Sequence, residues 1–68
     1  MLKEVTFMTY AEKIKILRKK MFFSQSELAD LLCVSLVTVN RWENNKFEPT
    51  IKIKRKLNEL FIKNKIEE

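Results

Sequence analysis

Neither glycine nor histidine occurs in this chain of 68 residues, and cysteine and proline occur once each. Average usage of ~7% would supply about five glycines at this length, so their absence is a real restriction on chemistry. Phosphate-cradling loops and dinucleotide-binding turns need positive φ and close backbone approach, and neither is built without glycine. Without histidine there is no Ser-His-Asp triad, no Cys-His pair and no histidine-liganded zinc. Cys33 has no second cysteine for a disulfide or a thiolate cluster, which fits a reducing compartment. Asp30 is the only aspartate and the glutamates are scattered, so the chain is expected not to be an enzyme and to need no cofactor or metal.

Long apolar runs are also missing. No segment approaches the ~18–20 residues of a membrane span, and residues 1–8, MLKEVTFM, lack the apolar stretch of a signal peptide. A cytoplasmic protein without a membrane partner is expected.

What is present is positive charge. Fourteen Lys and Arg face nine Asp and Glu, a net charge of +5 with an isoelectric point near 9.6. A small basic domain points to a polyanionic partner, most often nucleic acid. The length is about half that of a typical domain of ~100–150 residues, which implies one domain. Its core must be made largely of local contacts, and helices suit that best, because folding at this size buries only about 60% of the unfolded surface.

Along the chain, helical spacing accounts for every segment from residue 9 onward, and strict alternation for none. Thr9 with Glu12, and Ser24 with Glu27, form two Ser/Thr-x-x-Glu capping boxes; Ser35 and Thr50 are candidate caps for two further helices. The first helix runs to about residue 20 with Tyr10, Ile14, Leu17 and Met21 on one stripe. The second, Gln25 to Leu32, turns Leu28, Leu31 and Leu32 inward beside Ala29. The third covers about Leu36 to Asn44, and the fourth runs from Ile51 into the sixties with Ile53, Leu57, Leu60 and Phe61 buried. Residues 1–8 read as a tail or short extended arm through Leu2, Val5 and Phe7, ahead of a domain over 9–66; a start at Met8 would make 1–7 dispensable.

The third helix carries the functional signal. At about 100° per residue, Val39 and Trp42 define its inward face, and Val37, Asn40, Arg41 and Asn44 then point away, with Leu36, Thr38 and Glu43 on the flanks. Amides, a guanidinium and small apolar groups together are what reads a major groove. Arg forks onto guanine O6 and N7, Asn pairs with the adenine edge, and apolar groups touch the thymine methyl.

Residues 25–44, QSELADLLCVSLVTVNRWEN, resemble the helix-turn-helix of the Cro and lambda-repressor type, the XRE-like family of bacterial and phage regulators. Leu28, Ala29, Leu32, Val34, Val39 and Trp42 fall where that motif packs, and the flanking ILRKKMFFSQSELA and RWENNKFEPT extend the likeness over roughly 9–63. The resemblance implies an all-α, compact lambda-repressor-like domain of four to five helices. It implies double-stranded DNA as partner, with the third helix in the major groove.

Carried over by position, the resemblance makes Leu36, Val37, Asn40 and Arg41 base-contacting, although periodicity alone puts Leu36 on a flank. It makes Gln25, Thr38, Asn44 and Lys46 phosphate contacts, which fix register and carry no sequence information. Arg18 and Glu43 match a pair that forms an internal salt bridge in relatives. Relatives favour glycine where Cys33 and Asn45 stand. Asn tolerates the left-handed conformation, whereas Cys33 either bears strain of roughly 1 kcal/mol or the turn differs locally.

Lys52, Lys56 and Lys63 line one side of the fourth helix, as a solvated face or as weak attraction for DNA. Ile51, Ile62 and Ile66 are expected away from its core stripe, as a partner surface for a homodimer or as a fraying end. The function expected is a sequence-specific DNA-binding transcriptional regulator, most simply a repressor. The alternative is a protein-interaction module or antitoxin-like partner-binding protein on the same fold.

Overall fold

The structure, a computed structural model, describes residues 8–66; the arm expected through Leu2, Val5 and Phe7 lies outside them. Among the described residues there are four helices and no strand: α1 (Tyr10–Lys20), α2 (Gln25–Leu32), α3 (Leu36–Glu43) and α4 (Ile51–Lys63). The fold class is the all-α one that the resemblance implies.

Each helix begins where a side chain takes over an unpaired backbone N–H. Both capping boxes close reciprocally: the Glu12 N–H donates to Thr9 Oγ1 at 3.2 Å and Thr9 N–H to Glu12 Oε1 at 3.0 Å. The Ser24–Glu27 pair does the same at 3.1 and 2.8 Å. Ser35 Oγ accepts from Thr38 N–H and Thr50 Oγ1 from Ile53 N–H.

The four helix ends share one device. Phe22, Cys33, Asn45 and Lys65 all stand at φ between 57° and 60°, in the left-handed region. Past each of them the following N–H reaches back five residues: Phe23 to the Arg18 carbonyl, Val34 to Ala29, Lys46 to Arg41 and Ile66 to Phe61. These are Schellman terminations, the role glycine usually fills. A chain without glycine makes all four with residues that carry a Cβ. Three of the residues just past the turn, Phe23, Val34 and Ile66, pack on the core, so burial holds a backbone conformation that costs roughly 1–2 kcal/mol in a residue other than Gly or Asn. Phe22 is 92% exposed and Cys33 is exposed, so neither side chain offsets that cost by burial. Phe22→Gly and Cys33→Gly are each expected to raise stability by about 1 kcal/mol. The check is the urea midpoint at unchanged slope; lower midpoints in both variants would show that these turns bear no strain.

The core joins Ile14 and Leu17 of α1, Leu28, Ala29 and Leu32 of α2, Val39 and Trp42 of α3, and Leu57 and Phe61 of α4, with Met8 half-buried at its edge. α3 packs on both α2 and α1, and α4 closes against α1, where the Tyr10 and Phe61 rings lie 6.1 Å apart.

Two expectations about packing are corrected. Leu31 is 46% exposed because α2 turns its small Ala29 toward the core, which rotates the inward face away from Leu31. Ile66 is buried at 9% exposure and is not part of an outer α4 surface. The helix ends at Lys63, the chain reverses at Lys65, and the 100° periodicity that placed Ile66 outside no longer applies. Lys20 Nζ ties down the same corner by donating to the Asn64 and Lys65 carbonyls at 3.1 and 3.4 Å.

Candidate nucleic-acid interface

With Val39 and Trp42 buried, α3 has one side committed to the core and the other open. Leu36 is 49% and Val37 56% exposed, and Asn40, Arg41 and Asn44 are exposed with them. Thr38 is half-buried, its hydroxyl 2.8 Å from Ser35 Oγ. Lys46 follows in the loop, exposed, its backbone N–H fastened to the Arg41 carbonyl at 2.9 Å. Leu36, Val37, Asn40, Arg41 and Asn44 thus share one helix side. Ile51 and Ile62, 71% and 78% exposed, belong to α4.

Behind the open side lies a polar network reaching from α1. Arg18 forks onto Glu43: Nε donates to Oε2 at 2.7 Å and Nη2 to Oε1 at 3.0 Å, while Nη1 donates to the Phe23 carbonyl at 3.2 Å. The sequence placed Glu43 on a flank of α3; packing of α1 across that flank leaves it only 4% exposed. Burial on its own pushes the Glu43 pKa up. Hydrogen bonds from Arg18 and Gln25, with the charges of Arg18 and Lys15, outweigh it and hold the carboxyl below its ordinary value. The same hydrogen bond raises the Arg18 pKa against its partial burial.

The network continues outward. Gln25 Nε2 donates to Glu43 Oε1 at 3.0 Å, Asn40 Nδ2 to Gln25 Oε1 at 3.3 Å, and Asn44 Nδ2 to Asn40 Oδ1 at 3.1 Å. Gln25, carried over from the resemblance as a phosphate contact, and Asn40, carried over as a base contact, are hydrogen-bonded to each other. The first residue of α2 is locked to the middle of α3, and both to a buried ion pair. This link adds to the core packing of α2 on α3, which places the two helices of the turn.

Arg41 is outside this network. Among the described residues its side chain has no hydrogen bond or ion pair, and its guanidinium carbon stands over the Phe47 ring, 5.5 Å from the centroid. Phe47, 60% exposed, was not singled out by the sequence: a loop residue has no periodicity to place it. Both residues line a cleft of about 460 Å³ with Trp42, Glu48 and Ile53.

Among the described residues no cluster of His, Cys, Asp or Glu could hold a metal ion, and no helix is long and apolar enough to cross a membrane. The open side of α3 presents hydrogen-bonding and apolar groups together, the kinds of group that can read base edges. The sequence profile of the family described as helix-turn-helix matches residues 14–63, well over half of the chain and inclusive of the open side of α3. No curated protein and no solved structure matches.

Proposed function

Since this chain belongs to the helix-turn-helix family, as a DNA-binding domain of the Cro and lambda-repressor type, we propose that it is a sequence-specific repressor of transcription. It acts in the cytoplasm and places α3 in the major groove of double-stranded DNA. The observation that carries this is the open side of α3, where, among the described residues, no protein group takes a hydrogen bond from the Arg41 guanidinium. In this role Arg41 reads guanine, while Leu36 and Val37 contact thymine methyl groups. Asn40 is a weaker reader because Gln25 and Asn44 already engage its amide. Gln25, Thr38, Asn44 and Lys46 hold phosphates on either side.

The protein reads DNA as a homodimer with half-sites about one helical turn, ~34 Å, apart. The exposed Ile51 and Ile62 support a contact on α4: they lie about three turns apart on one side of it.

Selection from a random duplex pool tests the whole assignment. It should enrich one sequence, as two half-sites at that spacing. Affinity for the sequence should fall with salt at a log–log slope near −0.9 per phosphate neutralised. No enrichment together with salt-insensitive binding would favour the partner-binding module in place of the repressor.

A further inference from the structure

Exposed single aromatic residues are common and by themselves assign nothing; what singles out Phe47 is the group resting on it. A guanine-reading arginine needs two in-plane donors for O6 and N7, yet a long side chain with no partner samples many rotamers before it meets a base. Ion pairing with a carboxylate would restrict it but would occupy those same donors. An aromatic ring face holds the cation without accepting any of its N–H groups.

Arg41 is in the second situation although a carboxylate is at hand. Glu48 lines the same cleft as Arg41 and Phe47, but its Oε1 accepts from Lys54 Nζ at 2.9 Å. Arg41 lies over the ring. The backbone delivers the ring to that place. Asn45 at φ 60° reverses the chain directly after α3, and Lys46 N–H fastens the loop onto the carbonyl of Arg41 itself. Phe47 is the next residue, and buried Pro49 anchors the far side of the loop. The residue that presents the ring and the residue that uses it are thus joined by one hydrogen-bonded turn.

We infer that Phe47 is a positioning residue for base recognition: its ring holds the Arg41 guanidinium in one arrangement with the N–H donors open, and so sets the strength of the guanine preference. This rests on Arg41 being a base reader, and the experiment keeps the two assignments apart. The full chain, Phe47→Leu, Phe47→Trp, Arg41→Ala and the Arg41→Ala/Phe47→Leu double variant are each titrated against the selected duplex. The same titrations use single-base-pair variants of that duplex and an unrelated one. Leu keeps apolar bulk in the cleft and removes only the ring face, and equal urea midpoints establish that folding is intact. Phe47→Leu is expected to lower the preference for guanine at one position by about threefold, the size of an exposed cation–π contact. Binding to the unrelated duplex should stay unchanged. Phe47→Trp should restore the preference, and Phe47→Leu should add nothing once Arg41 is Ala. Multiplying effects in the double variant, or equal weakening on every duplex by Phe47→Leu, overturns the positioning role and leaves Arg41 as reader. An Arg41→Ala variant that keeps every base preference overturns both.

Discussion

Glu43→Gln is expected to cost this domain about 3 kcal/mol, the lower end of what breaking a buried ion pair costs, because Arg18 then keeps its charge without a counter-ion. The lower end applies because Arg18 is 21% exposed beside a Glu43 that is 4% exposed, and because the Gln carbonyl still accepts one hydrogen bond. For a chain of 68 residues total stability is of order 3–10 kcal/mol, so the loss is a large share of it. The thermal midpoint should fall by roughly 12–24 °C. Replacing both partners, as Arg18→Met with Glu43→Leu, should recover much of the loss, since a well-packed apolar pair is often no less stable than a buried ion pair. A midpoint for Glu43→Gln within a degree or two of the parent protein would mean that water screens the pair.

The same group sets an acid limit. The Glu43 pKa is lower in the folded protein than its ordinary value, so its contribution is complete above the unfolded value of about 4.3 and is lost as pH falls through the folded one. Stability of the parent chain should therefore drop below about pH 4. The Glu43→Gln variant should show a shallower drop over that window. Arg18 stays protonated throughout, since its pKa is raised from an already high value.

Arg41→Ala should relax base preference at one operator position and cost about 1–3 kcal/mol there, roughly 5- to 150-fold in affinity. Lys46→Ala should weaken binding to all sequences by a similar factor for each and reduce the salt slope by about 1. The contrast is one of chemistry. Arg41 carries a planar fork on the open side of α3 that has no hydrogen-bond partner among the described residues, whereas Lys46 is an exposed point charge in the loop beyond it, suited to a phosphate. Operator variants measured at two salt concentrations separate the two. If both substitutions shift every duplex equally, Arg41 reads no base.

Breaking the Arg18–Glu43 pair should also reach the open side of α3. Glu43 Oε1 accepts from Gln25, and Gln25 accepts from Asn40. A variant that loosens Glu43 therefore loosens the first residue of α2 against α3, so the stability and recognition measurements are best made on the same proteins.

The sequence by itself determined the four helices and their starts, because capping and amphipathic spacing are local. A Ser or Thr with Glu three residues on satisfies the same N–H groups whatever packs around it. It also determined which way α3 faces, since Val39 and Trp42 leave the opposite side for Arg41 by rotation alone. It marked Cys33 and Asn45 as the corners where relatives favour glycine, and both stand in the left-handed region. Phe22 and Lys65 adopt the same conformation unmarked. What holds them is burial of the residue that follows, Phe23 or Ile66, and that depends on where another helix lies. Leu31, Ile66 and Glu43 were placed by tertiary packing for the same reason: periodicity orders side chains around one helix but does not say how far a neighbour wraps over its flank or where the helix stops. The Gln25–Asn40 link and the Phe47 ring under Arg41 join residues 15 and 6 positions apart. The glycine-free turns bring those side chains together: the one at Cys33 is held by Val34 on the core, and the one at Asn45 by the Lys46 N–H on the Arg41 carbonyl.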